Sequence, residues 1–334
     1  MAILGPYNAV TDVEGILVGH YSDRAAACGV TVILCPEGAT AGVDVRGSAP
    51  GTRETDLLEP QNLVEKVQAV VLTGGSVYGL SSADGVVRWL AERSYGFPLD
   101  KGHVAPIVPA AALFDLGRGE DFVPPIGPEW GRKACDAAKA GPVDMGCVGA
   151  GTGALAGGVK GGVGTASERL GSGLIVGALA AVNSLGSVID PATGRLWEVR
   201  LEVDGELGDV GKKAVQIPAP PGSEPGRNTT IGVVVTDGRL TKAQAKKVAE
   251  MAQDGLARAI RPAHTMFDGD TIFCLATGRK ELPGAEGFFI GAQAQAVNEL
   301  GRAAADCFTR AVMRAMLEAE SLAGMTAIRD LTGR

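Results

Sequence analysis

The chain has 334 residues, 46% of them apolar, with 49 glycines and 4% aromatics. That is enough apolar material for one large domain or two smaller ones, and the glycine content favours sheets and tight turns over a helical bundle. The formal net charge is −7, and no stretch concentrates Lys and Arg, which excludes a nucleic-acid surface.

Strand-like runs, short and β-branched or glycine-flanked, occupy residues 30–35, 69–73, 174–182, 231–236 and 271–276. After the second run comes Leu72-Thr73-Gly74-Gly75-Ser76-Val77-Tyr78-Gly79, a strand, a glycine turn and a helix start over residues 80–93. A helix start there would present Ser76 or Tyr78 toward an anion. An ordinary half-buried tyrosine is the plainer reading of Tyr78.

The tract from Gly146 to Gly164 is rich in glycine, and Lys160 is its one charge. Gly149-x-Gly151-x-x-Ala154 resembles a dinucleotide fingerprint, but the glycines that follow oppose the helix this motif requires. Gly161 after Lys160 rules out a P-loop. The tract reads instead as backbone packed closely around a site, with Lys160 either a buried positive charge or a surface residue on a hairpin. Asn183 follows the 174–182 run, where its amide can donate to an oxyanion or simply fill a turn.

Residues 217–227 are dominated by Pro and Gly and can hold neither helix nor central strand. They form a linker, or a loop that delivers a scissile bond to the strand beginning after Asn228-Thr229-Thr230. A Thr hydroxyl is a weak nucleophile without a base. Cutting the bond before Thr229 would place an α-amine, of intrinsic pKa about 7.7–8, beside that hydroxyl. The same three residues also match a glycosylation sequon, and an ordinary turn before a strand is the plainer reading.

Thr241-Lys242-Ala243-Gln244 has the form of a capping box, and Ala245, Val248, Ala252, Leu256 and Ala259 fall on one helical face. His264-Thr265-Met266-Phe267-Asp268-Gly269-Asp270-Thr271 sets two carboxylates around a glycine at a strand entrance. The pair is suited to orienting a hydroxyl or ammonium, or it marks an Asp-Gly turn. Arg279 stands where a calcium loop needs Glu. An alanine-rich helix spans residues 291–322, with apolar residues repeating every four positions.

The six cysteines are scattered and read as buried free thiols in a reducing compartment. With no signal peptide or membrane span visible, a cytoplasmic location is expected. Three scattered histidines make no metal cluster.

In this order the motifs resemble the P1-family peptidases, which include L-aminopeptidase/D-esterases, β-aminopeptidases and 6-aminohexanoate-oligomer (nylon) hydrolases. The resemblance runs from Thr11-Asp12-Val13-Glu14-Gly15 to the His264–Asp270 string. It implies a four-layer αββα-type α/β sandwich resembling Ntn hydrolases with different connectivity. It implies one domain over 1–334 that cuts itself into fragments 1–228 and 229–334, and a homotetramer of processed protomers. By the same resemblance Thr229 is the nucleophile, Asn228–Thr229 the autocleavage bond and Asn183 the oxyanion donor. Tyr78 and Lys160 lie beside the nucleophile, with Lys160 tuning Tyr78, and Asp268 and Asp270 orient the hydroxyl and the amine. No metal or organic cofactor is implied, and the partner is a small amide or short peptide.

Thr229 with its acidic pair resembles the nylon-hydrolase branch, whereas the tract around Lys160 resembles the aminopeptidases. A nucleotide-binding oxidoreductase and an uncleaved binding protein are the rival classes.

Overall fold

The computed structural model describes residues 2–217, 228–284, 291 and 293–331. The Pro/Gly segment read as a linker or cleavage loop lies, from 218 to 227, outside the described residues.

In chain order the strands are β1 (Leu17–Asp23), β2 (Cys28–Val45), β3 (Gly51–Arg53), β4 (Lys66–Thr73), β5 (Phe97–Pro98), β6 (Val104–Ala105), β7 (Ala110–Ala112), β8 (Leu155–Ala156), β9 (Val159–Lys160), β10 (Gly162–Arg169), β11 (Ile175–Asn183), β12 (Thr229–Gly238) and β13 (Thr271–Lys280). The α-helices are α1 (Ser76–Gly79), α2 (Ser82–Ala91), α3 (Pro128–Asp136), α4 (Lys242–Ala259), α5 (Ala294–Glu318) and α6 (Ile328–Leu331). Strands pair in the order β10-β11-β12-β13-β2-β4-β7-β3, with β1 also on β2. β12, α4 and β13 form a crossover unit, so β12 and β13 run parallel.

The long strand β2 turns this ladder into two layers. Its first half pairs with β1 and β4, and its second half with β13, with a register break between Leu34 and Ala39. Side chains alternate across it. Val30, Val32 and Leu34 join the core under α2 and α3. Ile33, Cys35, Ala39, Ala41 and Val43 join the core between the two halves of the sheet. On the other half, Ala178, Ala180, Val234 and Cys274 pack under α4 and α5, while Leu179, Ala181, Val233 and Phe273 point inward. The layers are therefore helices, sheet, sheet and helices, as expected for the αββα sandwich.

The expected strands and helices are present, with most ends shifted by a few residues; the run at 30–35 is the exception, extending to Val45, and Asn183 is the last residue of β11 rather than the first beyond it. The capping box of α4 forms in both directions: Gln244 N–H donates to Thr241 Oγ1 at 3.2 Å, and Thr241 N–H to Gln244 Oε1 at 2.9 Å. The alanines of α5 let it lie close on β10. A Cβ at Gly164 would sit 2.1 Å from the Ala311 carbonyl oxygen. At the α4–α5 contact, a Cβ at Gly255 would sit 2.1 Å from that of Ala305. All six cysteines are buried and free, and burial pushes the thiols of Cys35, Cys135, Cys274 and Cys307 up to about 12. No described helix is long and apolar enough to cross a membrane.

One buried ion pair ties α5 to the first two-thirds of the chain. Arg310 Nε and Nη2 donate to Glu206 at 2.5 and 2.8 Å, and Asn8 bridges both partners. Burial works to raise the Glu206 carboxyl, but the hydrogen bonds and charge of Arg310 outweigh it and hold it below its ordinary 4.5. Its stabilising contribution is therefore complete above pH 4.5 and is lost as pH falls below that value. Arg310→Met leaves the buried Glu206 without its hydrogen-bonded cation, with only Asn8, the Val203 N–H and the more distant Arg314 facing it. Urea unfolding at pH 7 should show a loss of about 3–5 kcal/mol, and Arg310→Met/Glu206→Gln should recover part of it.

Candidate active site

The site forms where the inner layer between the sheets reaches the start of β12. Thr229 shares the inward parity of Ile231 and Val233, and Asn183 that of Leu179 and Ala181. The two are direct partners in the antiparallel β11–β12 register. Side chains at such positions stand on one face with Cβ atoms roughly 4.5–5.5 Å apart. Register alone thus sets the amide beside the hydroxyl.

Thr229 is nearly fully buried. Its Oγ1 donates to the carbonyl oxygen of Asn228, the residue before it, and accepts the Gly269 N–H at 3.2 Å. The hydroxyl therefore rests against the carbonyl of the bond expected to break. Gly269 is required there, because a Cβ would lie 2.9 Å from Thr229 Oγ1 and 2.7 Å from the Ala49 carbonyl oxygen.

The acidic pair lies directly behind this contact, and both carboxyl groups are buried. Asp270 Oδ1 accepts the Thr230 N–H at 2.8 Å, and Oδ2 accepts the His264 N–H at 3.0 Å and faces His264 Nδ1 at 2.9 Å. Asp268 Oδ2 accepts the N–H and hydroxyl of Thr265 at 2.9 and 2.5 Å, while the Asp268 backbone bridges Asn228. The segment after β2 clamps the turn from outside. Arg46 and Gly47 N–H groups donate to the Asp270 carbonyl at 2.9 and 3.2 Å, and Ala49 N–H to that of Asp268 at 2.9 Å. In the intact chain the Asp270 carboxyl thus fixes the backbone after Thr229 and the Asp268 main chain the residue before it, and it is Gly269 that touches the hydroxyl. Sequence reasoning assigned no role to Gly47, Ala49 or Gly269, and His264 entered it only as the first residue of the acidic string.

Asn183 is held on three sides. Its Oδ1 accepts Leu155 N–H at 3.0 Å and Arg118 Nη1, and its Nδ2 donates to the Phe114 carbonyl at 3.0 Å. The β8–β9 hairpin pairs Leu155 with Lys160, which puts a cation one strand from Asn183. Lys160 is fully buried, and its ammonium donates to the carbonyls of Gly151 and Gly161 at 2.9 and 2.7 Å. Burial lowers it to about 8.

Tyr78 is placed differently from the expectation. It is half exposed on α1 and does not line the cleft at Thr229. Lys160 spends its ammonium on main-chain carbonyls, so the tuning of Tyr78 by Lys160 has no direct contact through which to act. The physical reason is the left-handed turn at Gly75 and Ser76, which starts a one-turn helix and leaves Val77 and Tyr78 at the surface.

The glycine tract is not a dinucleotide loop. It continues into the β8–β9 hairpin and β10 instead of a helix, and its later glycines admit α5. The earlier ones admit β2: a Cβ at Gly149 would meet Thr31 Oγ1 at 2.1 Å.

A cleft of about 340 Å3 opens onto Asn228 and Thr229. Its walls include Pro50, Val77, Leu80, Phe114 and Phe267, and among the described residues no acidic or basic side chain lines it. A larger hollow of about 710 Å3, beside Arg169 and Glu299, contains none of the expected site residues.

The family model described as peptidase family S58 matches residues 8–329. An uncharacterized aminopeptidase of Mycobacterium tuberculosis is 49% identical, covering 97% of this chain and 98% of its own. A 6-aminohexanoate-oligomer endohydrolase of Kocuria sp. is 32% identical, covering 91% of this chain and 84% of its own. Among solved structures, the L-aminopeptidase D-Ala-esterase/amidase of Ochrobactrum anthropi, described as a variant of the Ntn-hydrolase fold, superposes with a TM-score of 0.73 at 26% identity, over 96% of this chain and 89% of that one. A Burkholderia sp. beta-aminopeptidase shares the fold at a TM-score of 0.74 and 24% identity, over 100% and 97%. The chain belongs to peptidase family S58 and is a hydrolase with an Ntn-type α/β fold.

Proposed function

We propose that this hydrolase cuts its own Asn228–Thr229 bond and then uses Thr229 to release amino-terminal residues from small amides and short peptides. The observation that carries the reading is the Thr229 hydroxyl itself. It is seated between the Asn228 carbonyl and the Gly269 N–H, in register with Asn183, where a cleft opens.

In the self-cleavage step Thr229 Oγ1 bonds to the Asn228 carbonyl carbon. The hydroxyl proton passes to the Thr229 nitrogen, the C–N bond breaks, and water hydrolyses the resulting ester. The freed α-amine then takes the hydroxyl proton when Oγ1 attacks a substrate carbonyl, and it delivers that proton to the departing amine. Asn183 donates to the oxyanion. Lys160 adds positive potential from the neighbouring hairpin, and Asp268 and Asp270 keep the hydroxyl and the new amine in place. Tyr78 stands outside the cleft in this reading and carries no proton. Homotetramer assembly of the processed protomers is part of the same proposal.

Two observations favour an aminopeptidase over a nylon-oligomer hydrolase. The relatives at 49% identity are named aminopeptidases, against 32% for the oligomer hydrolases. The cleft of about 340 Å3 also suits one small uncharged residue better than an extended oligomer. A direct comparison of kcat/KM on an L-alanine amide, a D-alanine ester, a β-amino-acid amide and a 6-aminohexanoate trimer tests this. The amino-acid amide should exceed the trimer by about tenfold or more, and a preference for the trimer would reverse the assignment.

Thr229→Ala should remain a single chain of 34.0 kDa by intact mass and lose roughly four orders of magnitude or more of amide hydrolysis. Thr229→Ser should split and keep activity. Splitting of Thr229→Ala at the same bond would remove the nucleophile assignment, and a wild-type chain that never splits would support a non-catalytic relative.

A further inference from the structure

We propose that Arg118 is a positioning residue that fixes the Asn183 amide as an oxyanion donor. The inference rests on the oxyanion role given to Asn183 above. An asparagine amide has two orientations of nearly equal shape, and only one presents N–H groups to a developing negative charge. Here the choice is made by the neighbours. Arg118 Nη1 and Leu155 N–H both donate to Oδ1, and the Phe114 carbonyl accepts from Nδ2. Flipping the amide would set NH2 against two donors and oxygen against oxygen.

Arg118 is itself anchored. The same Nη1 donates to the Gly153 carbonyl at 2.5 Å, two residues before Leu155. A guanidinium keeps its charge at every working pH. A charged donor on Oδ1 also polarises the amide and strengthens its N–H groups as donors.

The short stretch that carries Arg118 grips the site at two other points. Phe114 supplies the carbonyl for Nδ2, and Asp115 Oδ1 accepts the Gly75 N–H at 2.6 Å at the start of α1. Asp115 is buried, which raises its carboxyl, and the charge of Arg118 acts against that rise. Residues 114–118 thus connect the donor amide, the cation behind it and the helix that edges the cleft. The run Leu116-Gly117-Arg118-Gly119 carries no motif that would have signalled this.

A double-mutant cycle on the processed enzyme, with an amino-acid amide as substrate, tests the assignment. Arg118→Met should lower kcat by roughly 10–100-fold with KM within about twofold, since the amide acts on the transition state and not on the bound substrate. In an Asn183→Ala background the same change should alter kcat by less than about twofold. A full multiplicative loss in that background, an effect confined to KM, or no effect at all would overturn the role of Arg118. If Asn183→Ala leaves kcat unchanged, the oxyanion assignment falls first and the Arg118 proposal with it. Arg118→Lys, which keeps the charge and can reach one acceptor, goes through the same cycle should Arg118→Met fail to fold, with a smaller loss expected and the same criterion. A variant isolated uncut is read by its rate of self-cleavage under that criterion.

Discussion

The turn Asp268-Gly269-Asp270 determines where Thr229 sits, and the chemistry follows from that placement. Its glycine N–H meets the hydroxyl, its first aspartate bridges Asn228 through the backbone, and its second takes the N–H of Thr230. Three consecutive residues thus hold three consecutive residues. The arrangement tolerates no side chain at the middle position, because the loop after β2 packs against it at Ala49 and Pro50 and the Thr229 hydroxyl lies on it. Buried carboxyl groups are costly unless their oxygens are satisfied, and here each accepts more than one donor.

The four layers would keep the fold intact after the proposed cut before Thr229. β12 lies between β11 and β13, and β13 lies between β12 and β2. Every residue of β12 is buried. The part of the chain after residue 228 therefore contributes the two middle strands of a sheet whose flanks come from the part before it. α5 adds Arg310, whose partners Glu206, Asn8 and Ser167 all belong to the earlier part. A break before Thr229 frees the first residue of a strand and removes no strand from its ladder.

Much of the fold was legible because its strands are continuous apolar runs, as expected when both faces are covered. Residues 231–236 and 271–276 stand out for that reason, and Thr241 announces α4 through its capping box. The two-layer arrangement was not legible from periodicity. It depends on the register break in β2 between Leu34 and Ala39; Pro36-Glu37-Gly38 marks a break there, but not that the strand resumes beyond it in the second layer. The short strand β7, which completes one side of the cleft, is three alanines and carries no strand signal. Of the candidate site, Thr229, Asn183 and the acidic pair were named by resemblance, and register explains why the first two meet. Gly47 is there for a backbone close approach and Arg118 bonds the Asn183 amide, and neither contact leaves a residue pattern. The Lys160–Tyr78 pairing was the expectation that geometry did not support. A buried lysine satisfied by two carbonyls and a tyrosine at the surface occupy different environments.

The account stands on the identity of the group that becomes acylated. Processed enzyme mixed with an activated ester substrate, quenched in acid and digested, gives peptides in which the acyl group can be located by tandem mass spectrometry. The account predicts a peptide that begins with Thr229 and carries the acyl mass on that residue. An acyl group on any other side chain, or a peptide in which residue 228 is still joined to 229, would contradict it.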